Sequence, residues 1–288
     1  MPFMIERVGE WTPESEFTVD AVRTKAYAAA TNDPIPQHSN GELAPPIFAV
    51  VPVWEAMMQA VAMVTPPEAM AGVLHGEQDM RFHRPIVPGM TLVSRGAPVG
   101  VHVKGSGTTV VTKLETREKS AGVGGGDLVN EQYSVTFFRG VSDGDSRGEA
   151  APPHRFPEDV RASEPVAVAE QTFDNDQTYR YSEASGDMVP IHLDEEIARS
   201  VGLPGIIIHG LCTMAFTSWA AIESLGGGDP ARLKRLAVRF SKPVLPGQTI
   251  TTRFWNCGAP AGAVAYAFET GNPDGDVVIK DGLAELAP

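Results

Sequence analysis

Two long, dominantly apolar stretches, 54–64 and 211–225, predict helices packed in an interior. Each is preceded by a shorter helix-like stretch and a proline- or glycine-rich loop, LAPP at 43–46 and GLPG at 202–205. Each is followed by strand-like sequence. β-Branched and aromatic runs such as 108–112 and 133–138 are split by glycine-rich turns such as 122–126. One long helix followed by several antiparallel strands, twice over, predicts an α+β fold in which a sheet wraps a central helix.

The doubling is also written in the residues. YAAATNDPIPQH at 27–38 and YSEASGDMVPIH at 181–192 share Tyr, Ala, Asp, Pro and His at an offset of 154. RFHRPIVPGMTL at 81–92 and RFSKPVLPGQTI at 239–250 repeat at an offset of 158, with six of twelve positions identical. Two blocks in the same order at nearly one offset mark a duplication. The unit is too long for a solenoid repeat, so each copy is read as a domain. The segment 142–158, rich in Gly, Pro, Ser and charge, reads as a linker between domains at 1–141 and 159–288.

Composition narrows the chemistry. The 288 residues are 42% hydrophobic and 20% charged, an ordinary globular balance. Lys and Arg number 23 against 36 Asp and Glu, a net charge of −13, so nucleic acid and anionic membrane are expected to be repelled. No apolar run approaches the roughly 18–20 residues that span a bilayer. The opening residues carry an early acid and lack the apolar core of a signal peptide. Cys212 and Cys257 form neither a disulfide framework nor a metal spacing. No phosphate-binding glycine loop, Gly-x-Ser-x-Gly elbow or His/Cys ligand set is present, so no metal or cofactor is expected. A soluble cytoplasmic protein is expected.

The segment 185–192 places Asp187 and His192 five residues apart with Pro190 stiffening the turn. A carboxylate and an imidazole facing one pocket can orient a water, deprotonate it and return the proton elsewhere. The plainer alternative makes Asp187 a helix cap and His192 a packed residue. Downstream, Gly205-Ile-Ile-Ile-His-Gly210 leads into the second apolar helix. A glycine at a helix mouth offers its N–H at the positive end of the dipole, suited to a polarised carbonyl. Ile206–Ile208 read as plain strand, whereas Gly210 does not.

These two segments, 181–198 and 202–215, closely resemble the R-specific enoyl-CoA hydratases, the hydratase 2 or MaoC-like dehydratase family. The signature Gly-Asp-x-Asn-Pro-hydrophobic-His, followed after five residues by a small one, is met by Gly186, Asp187, Pro190, Ile191, His192 and Ala198. The family Asn is replaced by Val189. The resemblance implies two fused hot-dog domains and a hydro-lyase. It also implies that Asp187 and His192 activate the water and that Gly210 polarises the thioester carbonyl of a coenzyme A substrate. Gly186, Val189 and His209 are expected to complete the substrate site.

The first half keeps Asp33, Pro36 and His38 in register, but Val51 and Pro52 stand where the second half has Gly210 and Leu211. It is therefore expected to be a degraded copy that accommodates the acyl chain, with Phe48, Trp54, Met57, Met58 and Met63 as candidate lining. Arg232, Lys234, Arg235, Arg239 and Lys242 cluster in an acidic chain, either as partners for the phosphates of coenzyme A or as a solvated strand edge. An acyl-carrier-protein thioester is the other candidate substrate, which the net charge of −13 disfavours. A monomer of the fused halves or a homodimer would both be complete. An acyl-CoA thioesterase and a non-catalytic acyl-thioester binding protein are the competing readings.

Overall fold

A computed structural model describes residues 2–120, 126–259 and 262–288. Of the expected turn at 122–126, only Gly126 lies within the described residues. In chain order the helices are α1 (Ala21–Ala30), α2 (Pro36–Ser39), α3 (Trp54–Val64), α4 (Glu158–Arg161), α5 (Gln177–Ser185), α6 (Glu195–Ser200) and α7 (Gly210–Gly226). The strands are β1 (Ser15–Thr18), β2 (Val73–Phe82), β3 (Thr91–Lys104), β4 (Gly107–Glu118), β5 (Leu128–Arg139), β6 (Arg147–Gly148), β7 (Ala167–Thr172), β8 (Leu233–Phe240), β9 (Thr249–Asn256), β10 (Val264–Gly271) and β11 (Val277–Leu286). The second repeat block is visible directly in these bounds. β2 and β8 end at Phe82 and Phe240, and β3 and β9 begin at Thr91 and Thr249, each pair 158 residues apart.

The chain forms two compact units. The first holds the segment ending at Thr18 together with Pro52–Arg84 and Met90–Pro153. Its antiparallel sheet runs β1-β3-β4-β5-β2, with β6 added beside β3. Helix α3 packs on β3 and β4, burying Ala56, Met57, Ala60, Val61 and Val64 on one face. Val61 and Val64 join Phe3, Val101, Val110 and Phe138 in one cluster, and Ala56 and Met57 join Val53 and Leu114 in another. Not all of this interior is apolar. Gln78 donates to Gln132 at 2.8 Å with both side chains fully buried, and its own Oε1 lies 3.0 Å from His75 Nε2.

The second unit holds Val19–Val51, Pro85–Gly89 and His154–Pro288. Its antiparallel sheet runs β7-β9-β10-β11-β8, the same order as the first when the strands are matched copy to copy. Helix α7 is 17 residues long and packs on β7, β8 and β11. Phe216, Met214, Cys212 and Ile222 on it are almost fully buried. Burial pushes the Cys212 thiol well up, so it is held as an inert packing group.

Segment 19–51 precedes α3 in sequence yet groups with the second half, and hydrogen bonds explain why. The last carbonyls of a helix have no intrahelical donors. Those of α1 are met by side chains from α5 and α7. Arg180 donates to Ala29 at 2.7 Å, Gln177 to Ala30, and the Trp219 indole to Thr31 at 3.1 Å. Arg23 on α1 returns the contact, donating to Ala184 at the end of α5. Tyr27 and Tyr181, the same position in the two copies, meet hydroxyl to hydroxyl at 3.2 Å in the interior. Burial pushes both phenols well up, so the pair stays protonated.

Candidate active site

Helix α5 ends on Gly186, whose φ of +87° is the left-handed conformation that closes a helix and favours glycine. The nearest atom to an added Cβ would be Arg23 at 3.7 Å, ordinary contact, so the backbone sign rather than space selects glycine here. The reversal delivers Asp187 into the interior. Its N–H donates to Ser185 Oγ at 3.1 Å, and the Val189 N–H donates to its Oδ1 at 3.2 Å. Pro190 then opens the 3-10 turn Pro190–His192.

His192 is fixed by the main chain. Its Nδ1 lies 2.8 Å from the Ile207 carbonyl oxygen, which can only accept, so Nδ1 carries the proton and Nε2 keeps a lone pair. Asp187 and His192 are both buried, at 8% and 9% exposure. Burial raises the Asp187 carboxyl to about 6, with the Val189 N–H pulling the other way. Burial lowers His192 to about 4, opposed by the Ile207 carbonyl. At neutral pH the pair is therefore a carboxylate, with its proton affinity raised towards neutrality, beside a neutral imidazole.

His209 completes the cluster. Its ring stacks on His192 with centroids 3.8 Å apart and planes 24° from parallel. One nitrogen or oxygen from each of Asp187, His192 and His209 lies within 4.8 Å of the others. Such a trio resembles a metal-ligand set, but two nearly parallel rings cannot both aim an in-plane lone pair at one ion about 2.1 Å from each. His192 Nδ1 and His209 Nε2 are also committed to main-chain carbonyls.

Gly210 is the first residue of α7, so its N–H has no acceptor within the helix. A Cβ there would sit 3.1–3.2 Å from the Phe240 ring. Sequence reasoning assigned the missing side chain to the approach of substrate. The structure gives a second reason, since Phe240 at the end of β8 fills that space.

Val189 reaches the site through its backbone N–H, and its side chain is partly exposed. The five predicted cations separate along β8. Arg232 donates to Gly226 and Ala287 carbonyls, at the opposite end of α7 from Gly210, a helix length of about 25 Å. Arg235 pairs with Glu285 at 3.1 Å, Arg239 lies 3.7 Å from Asp281, and Lys234 is exposed. Lys242, also exposed, follows Phe240 by two residues and is thus on the Gly210 side. The candidate acyl-lining residues also disperse. Phe48 is fully buried edge-on to Tyr27, whereas Met57 lies on the buried face of α3 against Leu114 and Met63 faces a shallow surface pocket with Trp11 and Gln59. The contributions of Ile207, Phe240 and Ser182, whose Oγ lies 3.2 Å from His209 Nε2, escaped sequence reading. Two act by a main-chain oxygen or by shape, and Ser182 lies inside the repeat motif where only its hydroxyl was a signal.

The first-copy pair closes differently. His38 Nδ1 bonds Asp33 Oδ2 at 2.8 Å, both buried, and the Ile35 N–H takes Asp33 Oδ1 at 2.9 Å. The N–H of Val51, the counterpart of Gly210, is already donated to Phe48 at 2.9 Å.

A family profile described as "MaoC like domain" matches residues 157–273, and one described as "MFE-2 hydratase 2 N-terminal domain" matches 37–140. The chain is 33% identical over 75% of its length to a "Probable enoyl-CoA hydratase 2" of Dictyostelium discoideum, covering 70% of that protein. It is likewise 33% identical over 75% of its length to "3-hydroxyacyl-thioester dehydratase Y" of Mycobacterium tuberculosis, covering 73%. Other curated relatives, from Arabidopsis thaliana and mouse, are named peroxisomal. Among solved structures, a MaoC-like dehydratase from Phytophthora capsici superimposes with a TM-score of 0.82 at 29% identity, covering 98% of both chains. A Mycobacterium tuberculosis protein described as a double hot-dog superimposes at 0.60 with 13% identity, covering 97% of this chain and 96% of its own, which bears on the fold alone. With this site on this sheet-wrapped helix, the chain belongs to the MaoC-like dehydratase and hydratase 2 family of hydro-lyases, in the double hot-dog form.

Proposed function

We propose that the chain adds water across the double bond of a trans-2-enoyl-CoA to give the (R)-3-hydroxyacyl-CoA, and catalyses the reverse dehydration. The observation that carries this reading is the separate anchoring of Asp187 and His192 by the Val189 N–H and the Ile207 carbonyl. Neither side chain is spent on the other, so both are free to hold one water. His192 Nε2 accepts a hydrogen bond from that water. The Asp187 carboxylate takes its other proton as the oxygen bonds to C3. The electron pair of the double bond moves to C2 and the thioester oxygen, where the Gly210 N–H meets the developing charge. Asp187 then returns its proton to C2, leaving one water added and the carboxylate restored. The R configuration is what the family resemblance implies.

The catalytic groups then lie in the domain at 159–288, and the copy at 1–141, joined by 142–158, supplies no second site. Free coenzyme A thioesters are favoured over carrier-protein thioesters, because an acidic carrier would meet a net charge of −13. Lys242 is the predicted cation best placed for the phosphates. A monomer suffices for one complete site, with a homodimer as the alternative that sedimentation distinguishes. Cytoplasmic placement rests on composition. Among the described residues no helix is long and apolar enough to cross a membrane.

The test follows the loss of enoyl-thioester ultraviolet absorbance with trans-2-enoyl-CoAs of increasing chain length, with free thiol measured alongside. Absorbance loss without thiol release is expected. Thiol release would instead identify a thioesterase, and saturable binding without turnover a binding protein.

A further inference from the structure

His209 touches all three groups assigned to the reaction. It is bonded through the chain to Gly210, its ring stacks on His192 at 3.8 Å, and its Nε2 lies 3.2 Å from the main-chain oxygen of Asp187. The same Nε2 is 3.2 Å from Ser182 Oγ on α5. A carbonyl oxygen accepts only, so Nε2 carries the proton and donates it. Nδ1 is left buried without a hydrogen-bond partner among the described residues, in a side chain 1% exposed. Burial, with His192 adding to it, lowers His209 to about 2, so the ring stays neutral while it donates.

An orphaned ring nitrogen is a cost that an apolar side chain of similar size would not bear. Packing alone therefore does not account for an imidazole here, and the Nε2–H bond is the part an aliphatic residue cannot supply. That bond ties the Asp187 peptide to the residue immediately before the Gly210 N–H. Base and oxyanion donor are otherwise carried by separate elements, the loop after α5 and the mouth of α7, joined further back where His192 Nδ1 meets the Ile207 carbonyl and the Ile207 N–H meets the Ile191 carbonyl.

We infer that His209 is a positioning residue, whose Nε2–H holds the Asp187 main chain at a fixed distance from the Gly210 N–H while its ring face orients His192. This rests on the hydratase reading above. The geometry of water, C3 and thioester oxygen is set by that spacing, and displacement of a reacting group by about 1 Å costs on the order of 100-fold in rate.

The test compares wild type, His209→Leu and His209→Gln, with melting temperatures recorded for each. Leucine removes the donor and approximates the volume. Glutamine presents an amide N–H near the position of Nε2. His209→Leu is expected to lower kcat by about 10- to 100-fold with KM within about threefold, and His209→Gln to recover to within about fivefold of wild type. Equal losses in two variants that melt like wild type would reduce His209 to packing, and a leucine variant within about twofold would remove its role. A second readout needs no substrate. In ¹⁵N-histidine spectra of the wild-type protein, His209 is expected as the Nε2–H tautomer throughout pH 5–8, with His192 as Nδ1–H. An Nδ1–H tautomer for His209 overturns the positioning role even if no enoyl-CoA is turned over, so its failure is distinguishable from failure of the hydratase reading.

Discussion

Asp33 with His38 and Asp187 with His192 are the same residues at the same spacing, 154 positions apart, within one compact unit. They differ in what each imidazole Nδ1 bonds. His38 turns Nδ1 to its own aspartate, and its Nε2 is buried without a hydrogen-bond partner among the described residues. His192 turns Nδ1 to the Ile207 carbonyl, leaving Nε2 and the Asp187 carboxylate open to a third party. The nearby N–H follows the same rule, since that of Val51 is donated to Phe48 while that of Gly210 opens a long helix. On the reading proposed above, an acid and an imidazole become a water site when the backbone anchors each separately. Paired with each other, they become a structural hydrogen bond.

This contrast can be broken from either side, beginning where the effect is largest. His192→Ala removes the water's acceptor and is expected to lower kcat by about 100- to 10,000-fold, read by loss of enoyl absorbance. Gly210→Ala forces a Cβ to 3.1–3.2 Å from the Phe240 ring. The α7 mouth must shift to relieve it, and a fall of about 10- to 100-fold in kcat with a lower melting temperature is expected. The pH profile of kcat/KM for hydration sharpens the assignment of the base. Asp187 must be ionised to accept a proton, and its pKa is raised to about 6. The rate should therefore be flat above pH 7 and fall about tenfold per unit below 6. His192, lowered to about 4, is neutral throughout that range and adds no second inflection above pH 5. A profile falling above pH 6 would make Asp187 an acid instead. The smallest effect on rate is expected at the other pair. His38→Gln should leave kcat within about threefold of wild type while costing about 1–3 kcal/mol in stability by chemical denaturation.

Much of the fold was legible because it is written in local pattern and in repetition. The apolar stretch 54–64 coincides with α3, and 211–225 falls one residue inside each end of α7. The RFHRPIVPG and RFSKPVLPG blocks mark the same strand end and strand start in both copies. The association of α1 with the second half was not legible. It depends on Arg180, Gln177 and Trp219 reaching its terminal carbonyls, and carbonyls carry no residue-specific signal. The same limit applies at the site. Asp187, His192 and Gly210 stand out by type and spacing, whereas the Ile207 carbonyl that separates His192 from Asp187 is invisible in a run of three isoleucines. Charge clustering misled in part, because Arg232 and Arg235 are engaged with a helix end and a neighbouring strand.

The central claim is that environment, rather than residue identity, makes one aspartate a base and its copy a structural group. The direct test is Asp187→Asn beside Asp33→Asn in the same enoyl-CoA assay, with free thiol monitored and both proteins checked for wild-type melting. Asp187→Asn is predicted to lose at least about 100-fold in kcat without thiol release at any stage, and Asp33→Asn to stay within about threefold. Equal losses in the two variants, or activity surviving Asp187→Asn, would contradict the account.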